Sequence, residues 1–143
     1  MLGSELDEFL EQYHRAVEAV VQGDSAPQED LWSRRDDVTL ANPLGPPARG
    51  WTEVSNALRR AVSQLSDGEV LGSERISEYS SGDLAYILEI ERFRVKVGGA
   101  RDPAPSSLRV TTIFRREEDG WRIVHRHADT ITTPQPVESL VQE

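Results

Sequence analysis

The stretch Leu108-Arg109-Val110-Thr111-Thr112-Ile113-Phe114-Arg115-Arg116, then Glu117-Glu118-Asp119-Gly120, then Trp121-Arg122-Ile123-Val124-His125-Arg126-His127-Ala128-Asp129 decides the fold. Strand-favouring residues flank a short acidic turn that ends in glycine, the signature of an antiparallel hairpin. The second strand is read on to Ile131. Pairing Arg116 with Trp121 across the turn sets Phe114 opposite Ile123, Thr112 opposite His125 and Val110 opposite His127. Upstream, Leu84 to Val97 is a strand carrying Tyr86, Ile87, Ile90, Phe93 and Val95. The loop Gly98 to Ser106 joins it to the hairpin, and a loop centre near Ala100 sets Glu91 opposite Arg109 and Ile90 opposite Val110. Glu69 to Tyr79 reads as a weaker strand.

Side chains alternate across a strand, so each register sorts residues between two faces. One set is Tyr86, Leu88, Ile90, Val110, Thr112, Phe114, Trp121, Ile123, His125 and His127, mostly apolar and expected beneath the helices. The other holds Glu89, Glu91, Arg109, Arg115, Arg122 and Arg126, expected to face water or a second subunit.

Helices precede the strands. From Ser4 to Val21, the residues Leu6, Phe9, Leu10, Tyr13, Ala16, Val17 and Val20 form one apolar stripe at helical spacing. Ser4 is the expected cap and Gly23 the expected stop. Pro27 suits the first turn of a short second helix that turns Leu31 and Trp32 inward. Val38-Thr39-Leu40 is a short strand ended by the proline-rich loop Asn42 to Pro47. Trp51 to Leu65 is a third helix, with Gly68 closing it. Helices followed by hairpin-linked strands predict an α+β domain with helices on one face of an antiparallel sheet. Beyond Thr133 the pattern stops, and residues 134 to 143 read as a flexible polar tail.

The chain has 143 residues, enough for one domain with one core. It has no cysteine, which excludes disulfides and thiolate chemistry and suits a reducing, cytoplasmic setting. The net charge of −9 argues against nucleic acid and anionic membrane as partners. The start MLGSELDEFLEQY is acidic and amphipathic, unlike a secretory signal. No phosphate loop, nucleophile elbow or dinucleotide fingerprint occurs, so no cofactor is implied.

Leu31-Trp32-Ser33, Asp37-Val38-Thr39-Leu40 and Asn42-Pro43-Leu44-Gly45-Pro46-Pro47-Ala48-Arg49-Gly50-Trp51, together with the hairpin quoted above, resemble the SnoaL-like branch of the nuclear transport factor 2-like superfamily. That superfamily also contains the ketosteroid isomerases. The resemblance runs over roughly residues 5 to 131, and Gly120-Trp121-Arg122-Ile123-Val124-His125-Arg126-His127 is its most specific piece. It implies a cone-shaped domain over residues 1–133, with three helices in the N-terminal half packed on a strongly curved antiparallel sheet. It also implies a homodimer through the sheet's outer face. The superfamily holds isomerases, cyclases and hydratases as well as members without a known reaction. The implied function is therefore a pocket for a small apolar or weakly polar molecule. Two roles stay open: cofactor-independent acid/base catalysis of isomerase, cyclase or hydratase type, or a non-catalytic ligand-binding or dimerisation module.

The candidate catalytic residues are His125 and His127, which share a strand face, and Asp37, whose carboxyl would act as a base if drawn into an apolar cleft. His125, His127 and Asp129 make a His-x-His-x-Asp pattern, but no further ligand of known position completes a metal site. The candidate ligand-lining residues are Trp32, Trp51, Tyr13, Tyr86, Asn42 and Thr112.

Overall fold

The computed structural model describes residues 3–142. Helix α1 (Ser4–Val21) buries Leu6, Phe9, Leu10, Tyr13, Ala16, Val17 and Val21 along one stripe. Its cap is Gly3, without a side-chain hydrogen bond, so Ser4 is the first helical residue rather than the cap. Gly23, at φ 91°, ends the helix as its sequence predicts. Helix α2 (Ala26–Glu29) carries Pro27 in its first turn, and Leu31 and Trp32 follow it into the core.

Strands β1 (Thr39–Ala41) and β2 (Ala48–Arg49) flank the proline-rich loop, and helix α3 (Trp51–Val62) follows. Helix α3 is shorter than predicted because Leu65 already begins strand β3 (Leu65–Ser81). Gly68 is not a helix cap. It lies in β3 where that strand crosses the end of α1, and a Cβ there would stand 2.3 Å from the Val21 carbonyl oxygen. Strands β4 (Leu84–Val97), β5 (Ala104–Glu117) and β6 (Gly120–Asp129) complete the sheet, in the order β2-β1-β6-β5-β4-β3. The sheet is mixed rather than purely antiparallel, because β1 lies parallel to β6, pairing Thr39 with His125 and Ala41 with His127.

Two registers differ from those predicted, and both differences move side chains to the opposite face. Arg116 opposes Trp121 and Phe114 opposes Ile123, as the turn dictates. Beyond that point Ile113 pairs with His125 and Thr112 with Arg126, so Val124 is an extra residue in β6, a bulge. Arg126 therefore faces inward, while His125 and His127 face outward. On β4, Glu91 opposes Leu108 and Ile90 opposes Arg109, one residue from the predicted pairing. The inner row of β4 is thus Ala85, Ile87, Glu89, Glu91, Phe93 and Val95, all buried. Tyr86, Leu88 and Ile90 lie on the outer face.

The core sits between α1, α3 and the inner sheet face, around Trp32, Tyr13, Phe114, Leu58 and Ile123. Phe114 meets Phe9 and Tyr13 edge to face, with centroids 5.5 and 5.6 Å apart. After β6 the chain runs along the surface. It forms one 3-10 turn at Val137–Leu140 with no buried residue.

Candidate functional site

A cavity of about 220 Å³ opens between α1, α3 and the inner face of the sheet, with the loop after β1 at its mouth. Its walls are almost wholly apolar, from Val17 and Val21 on α1, Leu58 on α3, and Phe93, Val95 and Leu108 on the sheet. Among the few polar residues of the lining are Glu91, Arg126 and Gln28.

Each of these side chains is positioned by the register just described. The inward phase of β4 carries Glu91, the bulge in β6 turns Arg126 to meet it, and α2 presents Gln28. Arg126 Nη2 donates to Glu91 Oε1 at 2.8 Å, with the side chains only 11% and 4% exposed. Arg126 Nε donates to the Tyr13 hydroxyl at 3.1 Å, and Tyr13 lies 2.8 Å from Thr112 Oγ1. The Tyr13 oxygen accepts from Arg126 and shares a second hydrogen bond with the Thr112 hydroxyl.

Burial pushes the Tyr13 phenol up to about 12, against the opposing pull of the Arg126 charge, so it remains a neutral donor. Burial also disfavours the charged form of Arg126, but Glu91 and Tyr13 outweigh it and hold the guanidinium protonated above its ordinary range. Glu91 Oε2 and Gln28 Oε1 are buried and have no hydrogen-bond partner among the described residues. A buried acceptor left unsatisfied costs about 1–3 kcal/mol, and here two such acceptors belong to residues that line one mostly apolar cavity.

A family model for the SnoaL-like domain matches residues 7–132. The chain belongs to the SnoaL-like domain family. Solved structures agree in fold. A nuclear transport factor 2-like superfamily protein from Salmonella enterica aligns at TM-score 0.75 and 17% identity over 94% of each chain. A ketosteroid isomerase-like protein from Erwinia carotovora atroseptica aligns at TM-score 0.73 and 16% identity, over 90% of this chain and 95% of that one. A protein described as NTF2-like with a cystatin-like fold, from Novosphingobium aromaticivorans, aligns at TM-score 0.62 and 18% identity, over 97% and 88%. No curated protein sequence matches the chain.

Within this SnoaL-like domain the sequence-predicted residues are spread over several places. His125 and His127 do not line the cavity. The Val124 bulge sends them to the outer face, their rings 6.4 Å apart, with His125 Nδ1 2.7 Å from Thr39 Oγ1. Burial and then the neighbouring His127 lower the His125 pKa. Asp37 is not drawn into an apolar cleft either. It is half-exposed and clamped by Arg115 at 2.7 and 3.1 Å, and that pairing holds its carboxyl below the usual range, away from the cavity.

Tyr13 and Thr112 are buried in the array that supports Arg126, and Asn42 lines the cavity directly. Trp32 is fully buried beside an open charged cleft between Arg34, Arg35 and Arg122. Trp51 lies under Arg34, whose guanidinium carbon is 4.0 Å from the ring centroid. Tyr86 stacks on Tyr79 on the outer face.

Glu91 and Arg126 are site residues that strand alternation placed on the wrong face, and Gln28 on α2 was not singled out. One signal pointed to Arg126. Trp121 and Ile123 share a face, and the next small apolar residue, Ala128, follows at an odd spacing, which requires a one-residue slip between them.

Proposed function

We propose that this SnoaL-like domain binds a small, neutral, mostly apolar molecule in the cavity over Glu91, and acts on it by cofactor-independent acid/base chemistry. Glu91 is the general base and Arg126 the group that steadies the negative charge formed. The observation that carries this reading is the buried Glu91 Oε2, a carboxylate oxygen with no partner, on a residue that lines a mostly apolar cavity. A desolvated carboxylate that has shed its water shell is well placed to take a proton from carbon or oxygen, and such a base contributes about 10²–10⁴-fold. The internal hydrogen bonds of Arg126 engage two of the five N–H groups a guanidinium carries. Further N–H groups at the same wall suit an oxygen that gains charge as the proton leaves.

Size narrows the ligand. A dry protein cavity of ~150 Å³ holds benzene, so one of about 220 Å³ suits a fused bicyclic molecule. Acceptors at the polar end favour a hydroxyl or an acidic C–H over a second carboxylate.

The test uses 2-tetralone, a bicyclic ketone with acidic α-hydrogens. It should raise the melting temperature, and the protein should accelerate deuterium incorporation at the α-carbon in D₂O, followed by NMR. Glu91→Gln should lose about 100-fold or more of that acceleration while still binding. Tetralin, without the polar end, and 2-naphthoate, with a charge, should bind more weakly. Binding without exchange would assign a non-catalytic ligand-binding role instead. If none of the three compounds shifts the melting temperature, the cavity is not a site for this class.

Partnership belongs to the same proposal. The outer sheet face, with exposed Tyr79, Leu84 and Tyr86, is the surface through which two copies would pair.

A further inference from the structure

Glu91 borders a second space. Between α1 and the first half of β3 lies a compartment of about 150 Å³, lined by His14, Glu18, Ser73, Glu91 and Phe93 among others. Beside it β3 slips register twice, between Ser66 and Glu69 and between Val70 and Gly72. Val17, Glu91 and Phe93 line both this compartment and the ligand cavity, so they form the partition between the two. Glu18 and Ser73 are exposed and His14 is half-buried, so the compartment runs from the surface inward to the carboxylate. It has room for several waters. The ligand cavity, by contrast, has almost wholly apolar walls.

The geometry points to a proton route: water in this compartment links Glu91 to His14, so that a proton taken from a bound ligand leaves by way of His14 while the ligand closes the apolar side. This rests on the proposed role of Glu91 as base. In the forward step a C–H bond of the ligand breaks, its electron pair stays on the ligand and spreads onto oxygen, and the proton joins Glu91 Oε2. Water then carries it to His14, which releases it to solvent. The reverse path returns a solvent proton to the ligand, so nothing is oxidised or reduced.

His14 Nε2 donates to Glu89 Oε1 at 2.9 Å, which leaves Nδ1 to take and release the proton. The charged groups around the imidazole are Glu18 on its own helix, Glu89 and Glu91 on β4, and Arg75 on β3, which is itself tied to Glu89 at 2.8 Å and to Glu78. The Tyr13 ring stands edge-on, 5.5 Å away. The hydrogen bond to Glu89 raises the His14 pKa and burial opposes it, with the balance upward. An imidazole that can gain and lose a proton in this place is the chemistry a relay needs.

Deuterium exchange into 2-tetralone reads the route directly. His14→Gln removes the titrating nitrogen, and Ser73→Val fills the mouth of the compartment without touching His14. Both variants should keep the melting shift given by 2-tetralone and exchange at least tenfold more slowly. In the wild type the rate should rise with pH through the His14 pKa measured by NMR, because only the neutral ring accepts a proton. His14→Gln should lack that inflection. If both variants exchange at the wild-type rate with the wild-type pH profile while Glu91→Gln does not, the relay is wrong and the role of Glu91 stands. If Glu91→Gln exchanges like the wild type, or the wild type does not exchange at all, both readings fall. Should His14→Gln not fold, Ser73→Val decides the matter.

Discussion

Removing the Glu91 carboxylate leaves the Arg126 guanidinium, 11% exposed, without its only salt-bridge partner among the described residues. Truncating one member of a buried pair strands the other charge in a medium that solvates it poorly, which costs about 3–5 kcal/mol. Glu91→Ala should therefore lose several kcal/mol in urea unfolding, and Glu91→Gln, which keeps an oxygen for Arg126 Nη2, clearly less. Replacing both residues by apolar ones of similar volume should restore most of the loss. A Glu91→Ala variant as stable as the wild type would mean that the Arg126 charge is not stranded, and would remove the ground for treating the pair as buried. Tyr13 and Thr112 depend on the same charge, because Tyr13 accepts from Arg126 Nε and is hydrogen-bonded to Thr112.

At the scale of elements, α1 is tied to β4 by His14 and Glu89, and Arg75 of β3 closes the same cluster. Burial raises the Glu89 pKa, but the hydrogen bonds from His14 and Arg75 outweigh it, and the carboxyl ends below its ordinary 4.5. The His14 pKa ends above its ordinary 6.5. A raised histidine stabilises the fold fully below its unfolded value and loses that contribution as pH rises through the folded value. A lowered carboxyl contributes above its unfolded value and loses it as pH falls through the folded one. The tie is thus strongest at about pH 5 to 6, between the two unfolded values. The melting temperature of the wild type should exceed that of His14→Gln most in this range, and the gap should shrink as pH rises through the folded His14 value. A gap that is constant with pH would mean that His14 is not charged in the fold.

These same elements show what was legible and what was not. The α1 stripe, the turn at Glu117 to Gly120 and the ends of β4 followed directly from periodicity and glycine. The inner face of β4 did not, because Glu89 and Glu91 occupy it and make the true inner row look more polar than the outer row of Tyr86, Leu88 and Ile90. The β6 bulge at Val124 was hidden for a related reason. His125 and His127 continue the apparent phase of Trp121 and Ile123, and only Ala128 betrays the slip. Alternation fails where charged groups are held inside, and here that is at the site.

For the whole molecule, the outer face of the sheet carries a group of exposed large apolar side chains, Tyr79, Leu84 and Tyr86. Tyr79 and Tyr86 stack with ring centroids 6.2 Å apart, and an open apolar groove runs from them past Leu84 to Thr111 and Ile113. Charged pairs lie toward one end, Arg92 with Glu74 and Arg109 with Asp129. A patch of exposed aromatic and aliphatic groups with a charged rim is the composition of a pairing surface rather than of a wetted one. A stable pair needs about 800 Å² from each partner, roughly a tenth of the 8596 Å² this chain exposes. The surface tail is a poor alternative for closing the groove, since Val137, Leu140 and Val141 all remain exposed where it lies. We therefore expect light scattering at micromolar concentration to give twice the chain mass. Ile113→Glu should place an unpaired charge in the middle of the interface and give the single-chain mass, with a cooperative melting transition retained. Deleting residues 134 to 143 should leave both the doubled mass and, within a few degrees, the melting temperature. A wild-type chain that scatters as a monomer would refute the pairing surface. Loss of the doubled mass on tail deletion would instead move the contact from the sheet to Val137, Leu140 and Val141.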